Sequence, residues 1–196
     1  MKAIVFDIGN VLVQWDPHQA FLETLGTREA VDGFMARVDF YGWNLENDRG
    51  RSIAGTLDAF EGQDRDLLAA YKDRFHLTIA SPVTGTWDLL DRLSVRHPIH
   101  AITNWSAETW PTGMAVHPRI AEVFGVTIVS GEVGLLKPDP AIFALLCDRA
   151  GLDAGDCLFI DDSEKNVAGA RAFGMEAHHF TGAEALERDL TARGLL

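Results

Sequence analysis

The sequence lacks any long hydrophobic run, and no apolar stretch approaches the roughly 18–20 residues needed to cross a bilayer. We therefore expect no membrane partner. The N-terminal residues run directly into a strand-like segment, without the basic region, apolar stretch and cleavage site of a secretory signal. A cytoplasmic location is the resulting expectation.

Positive charge and cysteine are also scarce. The 196 residues include 17 Lys and Arg against 29 Asp and Glu, a formal net charge of −12, and no basic cluster offsets it. Such a field repels a phosphate backbone, so we expect no nucleic-acid partner. Cys147 and Cys157 are too few for a disulfide framework, and we interpret both as buried structural thiols.

What the sequence does contain is an alternation of strands and helices. This alternation predicts a Rossmann-like α/β fold, in which a parallel sheet carries helices on both faces. The strand-like segments are Ala3–Phe6, Ile99–Thr103, Val126–Ser130, Cys157–Ile160 and Glu176–Phe180. The helical patterns between and after the later strands are Trp87–Val95, Ala107–Met114, Pro140–Ala150, Lys165–Phe173 and Ala183–Ala192.

A long helical segment interrupts this alternation after the first strand. A structureless loop of such length is implausible in a compact domain, so we predict a small all-helical cap inserted over the edge of the sheet. The expected domains are an α/β core of residues 1–14 and 84–196 and a cap of residues 15–83. The helical patterns of the cap are Gln19–Leu25, Arg28–Val38, Ile53–Phe60 and Arg65–Phe75.

Polar residues follow four of the predicted strands at the point where each strand ends. The carboxyl ends of parallel strands meet at one edge of the sheet, where open α/β sheets bind their ligands. Taken singly, these residues are ordinary helix caps or turn residues, but their joint occurrence at one edge indicates a site. The candidates are Asp7 after the first strand, Thr103 and Asn104 at the second, Lys137 after the third, and Asp161 and Asp162 at the fourth.

The residue types in this set favour phosphate chemistry with a metal. Asp7 and Asp162 supply hard oxygen ligands, and a backbone carbonyl near Gly9 adds a third, which suits Mg²⁺. Neighbouring carboxylates also repel each other unless a cation neutralises them. With Mg²⁺ and Lys137 screening its charge, a phosphate ester is open to attack by Asp7. The hydroxyl of Thr103 and nearby backbone amides are suited to hold phosphoryl oxygens.

Four motifs resemble those of a known family. They are Phe6-Asp7-Ile8-Gly9, Ala101-Ile102-Thr103-Asn104, the run G-x-x-K-P-D-P-x-I-F from Gly134 to Phe143, and the run h-h-D-D-S-x-x-N-h-x-G-A-x-x-x-G-M from Phe159 to Met175. In this order they are similar to the motifs of the haloacid dehalogenase-like (HAD) hydrolase superfamily. The helical segment also lies where that family places its cap.

The resemblance implies a role for each position. Asp7 is similar to the family's nucleophile and metal ligand, and Lys137 to the lysine that neutralises the nucleophile and the phosphate. Thr103 and Asn104 match its phosphate-binding motif. Asp162 resembles the second metal carboxylate, and Asp161 resembles the neighbour that would hold a metal-bound water. The resemblance thus implies a Mg²⁺-dependent phosphatase for a small phosphate ester.

Gly9 departs from the family pattern. Most phosphatases of the superfamily carry Asp there, which protonates the leaving alkoxide and later activates water, and glycine can do neither. Three consequences are open: a substrate with a good leaving group, a substitute for the missing acid, or the loss of turnover. The α-D-glucose-1-phosphate phosphatase branch is similar here, since it also reads F-D-x-G-N-V, which makes a sugar 1-phosphate a candidate substrate.

Two alternatives to a phosphatase remain. A non-catalytic phosphate-binding protein would keep the site without turnover. A 2-haloacid dehalogenase would use Asp7 on carbon without Mg²⁺, and in that family an arginine from the cap builds the site. Arg49 is the candidate for such an arginine, but dehalogenases typically carry an aromatic residue where this chain has Gly9. We also predict that the cap selects the substrate, with Trp15 and Trp43 as candidates for packing on it.

Overall fold

A five-stranded parallel sheet forms the centre of the protein, which we describe from a computed structural model for residues 2–196. The strands are β1 (Ala3–Phe6), β2 (Ile99–Thr103), β3 (Thr127–Val129), β4 (Cys157–Asp161) and β5 (Glu176–His179). Their spatial order is β3-β2-β1-β4-β5. This confirms the predicted Rossmann-like sheet, with each strand within about two residues of its expected bounds.

The central strand is β1, and it is buried on every residue. It pairs with β2 on one side and with β4 on the other, so that Ile4 lies opposite both Ile99 and Leu158. A strand covered on both faces reads as a continuous apolar run rather than an alternating one. The run Ala3–Phe6 shows this pattern, and it places Asp7 directly at the carboxyl edge.

Helices cover both faces of the sheet, and the bounds of several differ from the predicted ones. The α-helices are α1 (Leu22–Leu25), α2 (Arg28–Arg37), α3 (Phe40–Asp48), α4 (Ile53–Thr56), α5 (Gly62–Thr78), α6 (Thr86–Ser94), α7 (Trp110–Val116), α8 (Ser130–Val133), α9 (Pro140–Ala150), α10 (Glu164–Phe173) and α11 (Ala183–Ala192). Short 3₁₀ turns occur at Pro17–Ala20, Leu57–Ala59, Pro118–Ala121 and Ala154–Asp156. Within residues 2–196, none of these helices has the length and apolar character that a bilayer crossing requires.

The two faces of the sheet build two hydrophobic cores. Ile4 and Phe6 pack in the core that includes α6, α11 and helices of the predicted cap. Val5 lies in the second core, which includes residues of α9 and α10. Because successive residues of a strand point to opposite faces, one short strand serves both cores.

Helix α3 has no counterpart in the predicted elements, because Gly42 within it reads as a turn. The helix forms nonetheless, with Asp39 as its N-cap in the left-handed conformation and a hydrogen bond of 3.4 Å from Gly42 N to Asp39 Oδ1. A Cβ on Gly42 would lie 2.2 Å from the Asp39 carboxylate. Gly42 therefore leaves room for the capping carboxylate of Asp39 in this position and does not end the helix.

The chain leaves the sheet and returns to it through two adjacent segments. Gln14 N donates to Ser81 O and Val83 N donates to Leu12 O, both at 2.9 Å. All regular structure between these segments is helical. The domain boundaries at residues 14–15 and 83–84 stay a prediction, which this pairing supports.

The two cysteines are free. Cys157 is buried as predicted, and burial raises the pKa of its thiol to about 12. Cys147 is only partly buried on α9, which differs from the expectation.

Candidate active site

The carboxyl edge of the sheet gathers three aspartates. Asp7 follows β1, Asp161 ends β4 and Asp162 comes next along the chain. One carboxylate oxygen from each of the three lies within 4.8 Å of the others. Asp7 and Asp161 are buried, whereas Asp162 is partly exposed. The neighbouring strands therefore bring together the acidic residues that the sequence predicted for this edge.

Lys137 bridges two of these carboxylates with a buried ammonium group. Its Nζ lies 2.8 Å from Asp7 Oδ1 and 2.7 Å from Asp161 Oδ2. The same Asp7 oxygen accepts a hydrogen bond of 2.7 Å from Ile8 N. These contacts hold the Asp7 carboxylate in one orientation at the sheet edge.

Asn104 fixes the loop that carries Lys137. Its Oδ1 accepts from Lys137 N at 2.9 Å, and its Nδ2 donates to Lys137 O at 3.2 Å. The Asn104 side chain thus pairs with both backbone polar groups of Lys137, as a neighbouring strand would, and holds the lysine backbone near the end of β2. Thr103 is buried at the end of β2, one residue earlier.

Asp161 is held by the helix that follows it. Its carboxylate accepts from Ser163 N at 2.8 Å and from Asn166 Nδ2 at 3.0 and 3.2 Å, in addition to the lysine. A buried carboxylate with this many donors is fully compensated. The spacing D-x-S-x-x-N in the sequence therefore describes one hydrogen-bonded turn around Asp161.

Close packing of α10 sets the position of the lysine loop. A Cβ on Gly169 would lie 2.5 Å from Pro138 Cβ and 2.9 Å from Pro138 O. Only glycine lets this helix approach the residue after Lys137 so closely. The glycine of the fourth motif thus has a steric cause.

The acidic cluster carries more negative than positive charge. Burial raises the pKa of Asp7. The charge of Lys137 lowers this pKa in part, whereas the carboxylates of Asp161 and Asp162 raise it further. Burial also raises the pKa of Asp162, with Asp161 as the next cause. Three carboxylates face one ammonium, so a divalent cation would balance the charge. Hard oxygen donors of this kind are the ligands that Mg²⁺ prefers.

Asn10 links the acidic cluster to the first residue of the predicted cap. Its Oδ1 accepts from Trp15 N at 3.0 Å, and its side chain also hydrogen-bonds to Asp162. Asn10 has a positive φ of 54°, a conformation that asparagine tolerates better than most residues. Sequence reasoning did not single out Asn10, although Asn in a Gly-Asn pair is a turn signal.

A cavity of about 70 Å³ lies between the sheet edge and the cap. Gly9 and Asn104 belong to its core side, next to the residues around Asp7. The lining residues are Gly9, Trp15, Asn44, Asp48, Phe75, Asn104, Trp105 and Thr109. One water needs roughly 10–15 Å³ of such space, so the cavity can hold several waters or a compact polar group.

The structure separates the three cap residues that the sequence suggested for specificity. Trp15 lines the cavity. Trp43 does not, because it is buried within the cap and its Nε1 donates to Thr56 Oγ1 at 2.9 Å. Arg49 is also outside the lining, with a side chain that is 52% exposed and lies 3.6 Å from Glu46.

Asp48 and Asn44 are cavity residues that sequence reasoning missed. Both lie on α3, and Asn44 Nδ2 donates to Asp48 Oδ2 at 2.9 Å. Their i, i+4 spacing places them on one helix face. That spacing was the available signal, but it has meaning only once a helix is assigned over residues 40–48.

Comparison with known proteins gives matches over much of the chain. Flavin mononucleotide hydrolase 1 of Arabidopsis thaliana is 31% identical over 59% of this chain, although the match spans only 46% of that relative's length. The phosphoserine phosphatase of Thermus thermophilus is 26% identical, with 90% of this chain and 87% of the relative covered.

A solved structure shares the fold. A HAD family enzyme from Bacteroides thetaiotaomicron superposes with a TM-score of 0.78 at 21% identity, and the match covers 97% of this chain and 98% of that one. The same enzyme has been crystallised with magnesium and inorganic phosphate. The family model of the haloacid dehalogenase-like hydrolases matches residues 1–174. This chain belongs to the haloacid dehalogenase-like hydrolases.

Proposed function

We propose that this protein is a Mg²⁺-dependent phosphatase that hydrolyses a small phosphorylated metabolite through an aspartyl-phosphate on Asp7. The observation that carries the proposal is the bridge of Lys137 between Asp7 and Asp161 at the sheet edge. This bridge orients a carboxylate nucleophile and provides positive charge where a phosphate would sit.

Each residue of the edge has a task in this proposal. Asp7 attacks phosphorus in line, and Lys137 neutralises both the nucleophile and the phosphoryl oxygens. Thr103 donates its hydroxyl to a phosphoryl oxygen. Asn104 holds the loop of Lys137 and so positions the ammonium. Asp161 orients the same ammonium from the other side.

The acidic cluster fits the metal. Asp7, Asp162 and the backbone carbonyl of Gly9 would hold Mg²⁺, with Asp161 beside them. When bound, the ion neutralises charge on the phosphate. Its ligands are already close to one another, since the three aspartates have oxygens within 4.8 Å.

The substrate is small in this proposal, because the cavity beside Gly9 is small and partly apolar. Phosphoserine, named for the Thermus relative, is an ester of this size class. A sugar 1-phosphate is our specific candidate, since its anomeric oxygen leaves more easily than an ordinary alkoxide. Such a leaving group suits a site that has glycine two residues after the nucleophile.

The test is phosphate release from a panel of small esters, including sugar 1-phosphates, with Mg²⁺ and with a chelator. Wild type should release phosphate only with the metal, and Asp7→Asn should lose at least about 10⁴-fold in kcat, as in other enzymes without their nucleophile. Asp148→Asn, which alters an exposed carboxylate on α9, is the matched control and should keep full activity.

Three outcomes would contradict the proposal. Phosphate release that survives chelation would refute the role of the metal, and release that survives the Asp7 substitution would refute the role of Asp7 as nucleophile. Release of halide from 2-haloacids without any ester hydrolysis would indicate a dehalogenase. Binding of inorganic phosphate without turnover on any ester would indicate a non-catalytic protein.

A further inference from the structure

Gly9 leaves a proton donor missing from the position two residues after Asp7. A Cβ built on Gly9 meets nothing within 4 Å, and its φ lies outside the left-handed region. The space that an acidic side chain would fill is therefore open, and Gly9 borders the cavity. A proton donor for a leaving group in this cavity therefore has to come from another residue of the cavity lining.

The lining of the cavity contains one carboxyl group, that of Asp48. Asp48 is the last residue of α3 and belongs to the cap, so it reaches the cavity from the side opposite the sheet. Among the described residues that line this cavity, it is the only one whose side chain carries an acidic group. It lines the same cavity as Gly9 and Asn104, which makes it a candidate for proton transfer.

The carboxyl of Asp48 is held in place by contacts from both domains. Asn44 Nδ2 donates to its Oδ2 at 2.9 Å, and the backbone amide of Ser106 donates to the carboxylate from the core. The Asp48 backbone is also fixed, because Ser130 Oγ donates to its carbonyl at 2.6 Å. An acid that acts in a reaction needs such fixed geometry.

We propose that Asp48 is the general acid and base of the reaction, supplied by the cap in place of a side chain at Gly9. The inference rests on the proposed phosphatase function and assigns a further catalytic residue to the same site.

The electrostatic surroundings of Asp48 suit this role. Burial raises the pKa of Asp48 to about 7, although the Ser106 amide and the charge of Lys137 lower it in part. Tyr71, which also faces Asp48, has a pKa raised by burial and stays neutral. Glu46 on the same helix pairs with Arg49, the residue after the helix, at the exposed surface. A carboxyl with a pKa near neutrality can both give and take a proton.

The proton transfers balance in two steps. As Asp7 Oδ attacks phosphorus, the bond from phosphorus to the ester oxygen breaks, and the proton of Asp48 goes to that oxygen to give the alcohol. The Asp48 carboxylate then takes a proton from water while the water oxygen attacks phosphorus. The bond from phosphorus to Asp7 breaks, its electron pair returns to the Asp7 carboxylate, and inorganic phosphate leaves.

The experiment compares two leaving groups in Asp48→Asn. For glycerol phosphate, whose alkoxide needs a proton, kcat/KM should fall about 10²–10⁴-fold, the usual contribution of general acid catalysis. For p-nitrophenyl phosphate, whose phenolate leaves unaided, the loss should be under about tenfold. Asp58→Asn, which changes a cap carboxylate that is 89% exposed, is the matched control and should change neither value.

Equal losses on the two esters would overturn the assignment and leave Asp48 a structural role. Wild type that hydrolyses no ester of the panel, sugar 1-phosphates included, would overturn the proposed function itself, which is a different result. If Asp48→Asn does not fold, the pH dependence of the wild-type protein tests the assignment instead. The ratio of kcat/KM for glycerol phosphate to that for p-nitrophenyl phosphate should fall as pH rises through about 7, because the acid is lost. A ratio that is flat with pH would overturn the inference.

Discussion

The core side and the cap side of the candidate site are built in different ways. On the core side, Lys137, Asp7 and Asp161 lie at the ends of strands or in loops beside them, and their charges pair at 2.7–2.8 Å. On the cap side, the aromatic residues Trp15 and Phe75 line the cavity together with Asp48. The difference suggests that the core supplies charge chemistry, whereas the cap supplies shape and one proton carrier.

The two sides also differ in what a substitution should do. Buried charges depend on each other, so the removal of one leaves its partners uncompensated. A wall of apolar side chains tolerates changes of shape at a smaller cost. Substitutions of the charged residues on the core side should therefore affect turnover and stability together, and those of the aromatic wall on the cap side should act mainly on substrate binding.

The largest effect is expected for Lys137→Met. Two buried carboxylates would lose their counter-charge, so the free energy of unfolding should fall by about 3–5 kcal/mol. Turnover should fall at least about 10²–10³-fold, as for other lost electrostatic contacts to a transition state. Urea unfolding and kcat measure the two effects. Lys165→Met, at an exposed position of α10, should leave both unchanged. Full stability of Lys137→Met would contradict the assigned charge pairing.

A smaller and different effect is expected for Trp15→Ala. Loss of this wall should lower kcat/KM about 10–200-fold through KM, the range for lost apolar contacts with a substrate. Inhibition by inorganic phosphate should be unchanged, because the core holds the phosphate. Trp43→Phe, which changes a buried cap residue outside the cavity, should lower stability by about 1 kcal/mol and leave KM alone. Equal KM values for both variants would remove the distinction between the two tryptophans.

Gly169→Ala tests the packing behind the core side. The new methyl group would overlap Pro138, so we expect a loss of about 1–3 kcal/mol in unfolding free energy together with reduced turnover. Gly155→Ala is the control, since a Cβ there meets nothing within 4 Å. Thermal unfolding of the two variants measures the difference. If Gly169→Ala is as stable and active as the control, α10 does not set the position of Lys137.

The smallest effect is expected for Gly9→Asp, which joins the two sides. If leaving-group protonation limits the rate, esters with poor leaving groups should gain most. The gain should stay under about tenfold in wild type, because Asp48 already supplies part of the 10²–10⁴-fold effect of an acid. It should be larger in the Asp48→Asn background. Rates that are equal or reduced across the ester panel would count against this explanation.

Much of the core side was predictable from the sequence. Apolar runs identified four of the five strands, with Glu176–Phe180 the weakest pattern. A parallel sheet brings the carboxyl ends of its strands to one edge, so Asp7, Asp161 and Lys137 were expected together. The structure adds the reason for each spacing. Asn104 clamps the backbone of Lys137, and Asn166 turns back on Asp161.

The cap side was predictable only as a helical insertion. Helix α3 was missed because Gly42 is typical of a helix end. The pair of Asn44 and Asp48, which lies on that helix, was missed for the same reason. The sequence offered both Trp15 and Trp43 as candidates for packing on the substrate, and the position of Trp15 close to Asp7 in the chain favoured Trp15. Which of them borders the cavity depends on how the helices of the cap pack over the sheet.

The sequence by itself therefore determined the parallel sheet and the residues at its carboxyl edge, because strand periodicity and strand ends are local properties. Only the tertiary structure decided what faces that edge. The position of Asp48 in the same cavity as Gly9 results from contacts between residues far apart in the chain, such as that of Ser130 with the Asp48 carbonyl. Such contacts follow from packing and leave no periodic pattern in the sequence.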